Sequence, residues 1–334
     1  MTASTKNGLK ALAAIAALGL ATRKVDFRAL GVALASMPAS TIAWMMVLVV
    51  LLQLLGAARW WRLLRRLGER PSFAALNGDL LVGMTYNLFL PTTIGGDVVR
   101  IWRARARLER PHAAWSTAIY ERIAGFVALT GMGALSLALA SIAAPGAIAT
   151  VPFAVRAAVA LAAIGFVLLF LVAAAPLRWL VRRMEVSLPA ASATDGARAI
   201  VADLEGPLAS HACRAEAVAW STGCQLVSLV FLMLAEHAMG EKAHDLAIVV
   251  GVPIVVVVSM APITLGGHGL REGLFVVVLG MLGVTREHAL ALAILWLGWS
   301  VLLAVAGAIV AVVDRSPRGI GRDVDDRVSA SSTR

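Results

Sequence analysis

Long apolar runs divided by clusters of arginine constrain this chain more than any other feature. Such runs cover residues 39–58, 113–143, 152–175, 215–235 and 288–313, with a shorter one at 9–22. Lipid offers no partners to backbone N–H and C=O groups, so a crossing helix must satisfy its own and needs about 20 mostly apolar residues. The composition agrees: 60% of the 334 residues are hydrophobic and 15% are charged, against about 45–50% and about 25% in ordinary globular domains. The expected fold class is an all-α integral membrane protein with six spanning helices. The run at 9–22 follows Lys6 and resembles a signal peptide, but no small-x-small cleavage pattern precedes Arg23-Lys24, so it is expected to be a retained helix.

The net charge of +10 would raise nucleic acid as a partner for a soluble domain, but here the basic residues fall in blocks between apolar runs. That placement is the positive-inside pattern with contacts to anionic headgroups, and it argues against nucleic acid. Cys213 and Cys224 would lie about 16 Å apart along one helix, too far to pair.

Two further apolar stretches, 74–99 and 246–282, are interrupted by Pro and Gly. Arg59, Arg62, Arg65, Arg66 and Arg70 precede the first, and Arg100, Arg103, Arg105, Arg107 and Arg110 follow it. With both clusters cytoplasmic, the stretch enters and leaves on one side as a re-entrant hairpin. Arg178, Arg182 and Arg183, and later Arg315, Arg318 and Arg322, return to the same side, which makes the second broken stretch re-entrant from the opposite face. Both termini are then cytoplasmic, in a plasma or inner membrane. Ile200, Leu204 and Leu208 at helical spacing predict an amphipathic helix on the cytoplasmic surface, and the charged, Ser-rich tail predicts disorder.

The two breaks repeat one pattern. Pro91-Thr-Thr-Ile-Gly-Gly-Asp-Val-Val-Arg100 matches Pro262-Ile-Thr-Leu-Gly-Gly-His-Gly-Leu-Arg271, and 262 − 91 equals 271 − 100, an offset of 171. Three crossings per half invert the second copy, as in transporters whose sites lie at interrupted segments. The expected organisation is a first membrane repeat over 1–150, a second over 151–314 and a tail over 315–334.

A half-helix starting at Gly95-Gly96 or Gly266-Gly267 aims N–H groups and partial positive charge at the turn, where Thr93 or Thr264 would cap it. Glycine also lets a phosphate approach the backbone, and Arg100 or Arg271 would add a guanidinium. The same glycines serve equally to let the hairpin turn. Asp97, three residues before Arg100, lies on its face as either a neutralising or a substrate-side partner, while His268 and Glu272 flank Arg271. His268 would give that site a pH-dependent charge if solvent reaches it.

Glu121 and Arg122 lie inside an apolar run, where charge faces inward and pairs with other helices, or snorkels to the headgroups. Adjacent residues do not face one another, so a Glu121–Arg122 bridge is not expected. Asn87 and Gln225 suit inter-helix hydrogen bonds. The histidines are scattered, His237 and His244 falling on a polar outer connection, so no metal or other cofactor is expected and no nucleotide loop is present.

Arg59-Trp60-x-Arg62-Leu63-Leu64, Asn87-x-x-x-Pro91, Gly96-Asp97-x-x-Arg100, Glu121-Arg122 and Pro262-x-x-x-Gly266-Gly267-x-Gly269-x-x-Glu272 together resemble the flippase-like family that includes the membrane half of lysylphosphatidylglycerol synthase. The likeness runs through most of the chain. The family commonly carries Glu at Asp97 and Asp at Gly125, so a charge network around Arg122 need not carry over. The resemblance implies movement of an anionic or aminoacylated phospholipid, or an isoprenoid-linked lipid, between leaflets. It does not imply lipid aminoacylation, which resides in a separate soluble domain of the two-part synthase, so a non-enzymatic role is expected. Two alternatives stay open: an accessory protein partnering envelope-biosynthesis enzymes, and a membrane-embedded lipid transferase using Glu121, Asp97 or Glu272 as acid or base. Homo-oligomerisation is compatible with each.

Overall fold

The computed structural model describes residues 27–89, 95–143, 145–146, 152–171, 179, 191–239, 244–259 and 270–314. The described elements are helical: α1 (Phe27–Ala35), α2 (Ala39–Arg66), α3 (Phe73–Phe89), α4 (Gly95–Arg105), α5 (Ala113–Ala143), α6 (Phe153–Leu171), α7 (Ala191–Glu205), α8 (His211–Ala238), α9 (Asp245–Ser259), α10 (Leu270–Met281) and α11 (Arg286–Val313). Among the described residues, α2, α5, α8 and α11 are long and apolar enough to cross a membrane. The expected helix over 9–22 and the tail lie outside the described residues, as do the turns at 90–94 and 260–269.

Local chemistry sets the helix ends. Gly68, at φ 86°, ends α2 and lets the Glu69 N–H reach back to the Leu64 carbonyl at 3.1 Å. Gly283, at φ 93°, ends α10 the same way, with the Val284 N–H on the Leu279 carbonyl at 3.1 Å. The Ser210 hydroxyl accepts the Cys213 N–H at 3.2 Å and starts α8, and Thr285 starts α11 by accepting the His288 N–H at 3.4 Å.

The offset of 171 extends to whole helices. Added to α2, α3 and α5 it gives 210–237, 244–260 and 284–314, each bound within two residues of those of α8, α9 and α11. Packing is reciprocal: α3 lies on α11 and α9 lies on α5. Small residues allow the approach. A Cβ on Gly307 would sit 1.9 Å from the Leu81 carbonyl oxygen, and one on Gly133 would sit 3.1 Å from Pro253 Cβ. Thr85 adds a hydrogen bond from its hydroxyl to the Ala304 carbonyl at 2.7 Å.

The arginine-rich ends gather at one end of the bundle. Arg62 and Arg66 hold Glu216, joining α2 to α8. Fully buried Asp79 of α3 takes Arg103 at 2.8 Å and also pairs with Arg107, while Arg103 reaches Asp314 beyond α11 at 2.5 Å. The predicted amphipathic helix forms as α7, with Leu208 on a following 3-10 turn. Its apolar face is covered by protein rather than laid on a membrane surface: Val201, Leu204 and Leu208 pack with Ala113, Ala114 and Cys213. Outward on the long helices, Val47, Val50 and Leu54 of α2 and Leu302, Val305 and Ile309 of α11 are exposed. Apolar side chains presented at helical spacing suit contact with lipid tails.

The two broken stretches each form a pair of packed helices, α3 with α4 and α9 with α10. Both legs of α3–α4 are anchored at the arginine-rich end through Asp79. The start of α9 joins the far end, where His244 meets Glu236 at the close of α8.

Candidate functional site

The first hairpin closes because two glycines let α3 and α4 touch. A Cβ on Gly96 would lie 2.1 Å from the Gly83 carbonyl oxygen, and one on Gly83 would lie 2.8 Å from the Gly96 carbonyl oxygen. Asn87 locks this contact, its Oδ1 accepting the Gly96 N–H at 2.8 Å. The expectation that Gly96 offers an unpaired N–H to a phosphate is therefore corrected: the Asn87 amide occupies that donor, and the absent side chain serves helix contact. Gly95 is the first residue of α4. Thr93, Thr264, Gly266, Gly267 and His268 lie outside the described residues.

Between α3, α4, α9 and α10 lies a cavity of about 370 Å³. Its polar lining includes Asn87, Asp97, Arg100, Glu121, Arg122 and Arg271, so the arginines of both repeat copies reach one space. Sequence reasoning placed them in separate sites on opposite faces; the structure brings them to the wall of one cavity. Trp296, Trp299, Phe126, Leu129 and Val256 supply apolar wall, with Gln225, Ser259 and Ser300 as neutral polar groups. Glu272 is buried and does not line the cavity.

Arg59, which the sequence reading used for topology and in the family motif but not as a site residue, belongs to the site. It pairs with Glu121 Oε1 and donates from Nη1 to Ser221 at 3.0 Å. The other Glu121 oxygen accepts from Arg100 Nη1 at 3.2 Å, and Arg100 Nε donates to Asp97 at 3.0 Å. Arg122 Nε donates to the second Asp97 oxygen at 2.6 Å. The chain Arg59–Glu121–Arg100–Asp97–Arg122 thus ties α2, α4 and α5 together, and Glu121 and Arg122 each pair across helices, not with one another. Arg100 also stacks over the Trp60 ring, 4.7 Å from its centroid, while Trp60 Nε1 donates to Thr117 at 3.1 Å. The open choice for Asp97 and Arg100 narrows to a bonded pair within a larger network.

Arg271 stands apart. Its Nε is buried and has no hydrogen-bond partner among the described residues, yet the residue lines the cavity. Four arginines and two carboxylates line the space, a formal excess of two positive charges in a partly apolar chamber. Such a chamber attracts an anion, because desolvated guanidinium groups lack the hydration that bulk water would supply. Among the described residues no group of His, Cys, Asp and Glu suits a metal ion.

A family model for the lysylphosphatidylglycerol synthase TM region matches residues 8–308. No curated protein and no solved structure matches the chain. The matched span takes in every residue that lines the cavity, and the chain, a multi-pass membrane protein, belongs to the lysylphosphatidylglycerol synthase TM region family.

Proposed function

We propose that the cavity binds the headgroup of an anionic lipid and that the protein moves this lipid between leaflets. The observation that carries the reading is Arg271: a buried guanidinium edge faces a cavity where the other three arginines already hold carboxylates. A phosphate diester would supply the missing acceptor. Helix length supports re-entrance, since α3 has 17 residues, α4 11, α9 15 and α10 12. At 1.5 Å per residue, the longest of them spans about 26 Å, short of a hydrocarbon core of about 30 Å. Hairpins that enter from opposite faces and meet at one charged space give each leaflet a route to the same site.

The arginine-rich end is then cytoplasmic, in an inner or plasma membrane. The role is transport, not catalysis: both cavity carboxylates are held by two arginines each, which suits neither to exchange protons with substrate. The test is leaflet exchange of a fluorescent anionic phospholipid in liposomes holding the purified protein. Arg271→Gln should slow exchange at least about tenfold, the loss of roughly 1.4 kcal/mol of headgroup interaction, with unchanged thermal unfolding. Equal rates for wild type, variant and empty liposomes would sink the reading and favour an accessory role.

A further inference from the structure

Two acidic side chains are fully buried at opposite ends of this bundle, and they are neutralised differently. Asp79, at the arginine-rich end, faces Arg103 and Arg107, whose charges are permanent. Glu236, at the far end of α8, faces histidines. Its Oε1 lies 3.1 Å from His244 Nδ1, at the start of α9, and its Oε2 lies 3.5 Å from His288 Nδ1, in the first turn of α11. Glu236 is 0% exposed and Oε2 has no hydrogen-bond partner among the described residues. A carboxylate in that setting is costly unless a proton sits on it or on an imidazole beside it.

Among the described residues no other ion pair to Glu236 replaces that proton. On α8 the neighbouring His237 pairs at 3.5 Å with Asp245 of α9, both about half exposed. Helix α11 adds Arg286 and Glu287 outside His288, and α1 carries Arg28. The charged residues of α10, Arg271 and Glu272, sit at its opposite, cavity end, and the outer halves of α2 and α5 carry none. Glu241 and Lys242 lie outside the described residues.

We propose that Glu236, His244 and His288 form a proton-binding site that clasps the outer ends of α8, α9 and α11, and that losing the proton loosens this clasp. The three helices also wall the cavity, through Gln225, Ser259 and Trp299. Gln225 precedes Glu236, and Trp299 follows His288, by eleven residues each, about 16 Å of helix. Without the proton, a bare carboxylate between two neutral imidazoles draws water into the outer seam and frees the ends of helices that run on to the cavity. The site's existence is independent of transport; its effect on leaflet exchange rests on the translocase reading.

The test uses the whole protein in lipid nanodiscs. Imidazole nitrogen resonances and the infrared band of a protonated carboxyl count the protons bound at this end near neutral pH. Wild type should carry one more bound proton than Glu236→Gln, with His112, at the other end, unchanged as a folding control. Should Glu236→Gln not fold, His288→Asn decides instead, since it should leave the shared proton with Glu236 and His244. An ionised Glu236 between neutral His244 and His288, in wild type or in His288→Asn, would overturn the site. In liposomes of fixed internal pH, wild-type exchange should be at least about threefold faster at an outside pH of about 8 than of about 5.5, the range over which imidazole ordinarily changes charge. Glu236→Gln should remove that difference. A pH-independent wild-type rate would overturn the coupling, whereas no exchange at any pH would fail the translocase reading and leave the proton count to judge the site.

Discussion

Replacing Glu121 with Gln tests whether the buried network holds the bundle together. The carboxylate is 5% exposed, pairs with Arg59 through one oxygen and accepts from Arg100 at 3.2 Å through the other. Glutamine keeps one neutral acceptor and turns the second position into an N–H donor that faces a guanidinium. Two charge-assisted bonds, each worth about 1.5–3 kcal/mol, are weakened or lost, and Arg100 keeps Asp97 as its remaining carboxylate partner. Breaking a buried pair from one side typically costs about 3–5 kcal/mol, because the remaining charge stays buried. That is a large share of an ordinary folding stability of about 5–15 kcal/mol. Glu121→Gln should therefore lower unfolding stability in detergent micelles, followed by circular dichroism, by about 3–5 kcal/mol. Combined with Arg59→Gln, the loss should fall short of the sum of the single losses by at least about 1 kcal/mol, since the two share one contact. A single-variant change within about 0.5 kcal/mol, the range of ordinary surface substitutions, would refute the network's structural role.

Other consequences are cheaper to check. Gly307→Ala drives a Cβ to 1.9 Å from the Leu81 carbonyl oxygen, which cannot rotate away, while Gly251→Ala meets the movable Leu279 Cδ2 at 2.6 Å. Thermal unfolding should show the first costing about 3 kcal/mol or more and the second about 1 kcal/mol. Asp79→Asn leaves the partly exposed Arg103 and Arg107 with Asp314 as their carboxylate, so it should destabilise by about 1–2 kcal/mol; Glu216→Ala removes a contact with half-exposed arginines and should cost at most about 1 kcal/mol. Both follow from the same unfolding measurement.

The legible part of this fold came from residues whose own chemistry restricts the backbone. Proline and paired glycines at 91–96 and 262–267 marked the hairpins, and the offset they define recurs in the bounds of α8, α9 and α11. The pairing of Glu121 was foreseeable in kind, since charge in an apolar run seeks another helix, but its partners were not. Arg59 lies 62 residues from Glu121 in sequence, and nothing in the arginine-rich end of α2 separates an inward guanidinium from a headgroup contact. Gly96 stayed open between its two roles, phosphate approach and helix contact, because both need the same missing side chain; only the position of Gly83 separates them. Glu236 and His244 read as polar outer connection, for burial at a helix end depends on what α11 brings to it.

The bed on which α3 rests has a consequence for biogenesis. Thr85 bonds the Ala304 carbonyl, 219 residues later in the chain, and Arg103 closes on Asp314, 211 residues later. During synthesis α3 and α4 are made long before the helix that covers them, so the groove at Leu81 waits without its final neighbour while Asp79 already has Arg103 and Arg107. Ribosome stalling ahead of α11 should therefore leave α3 and α4 open to protease while α2 and α5 are already protected.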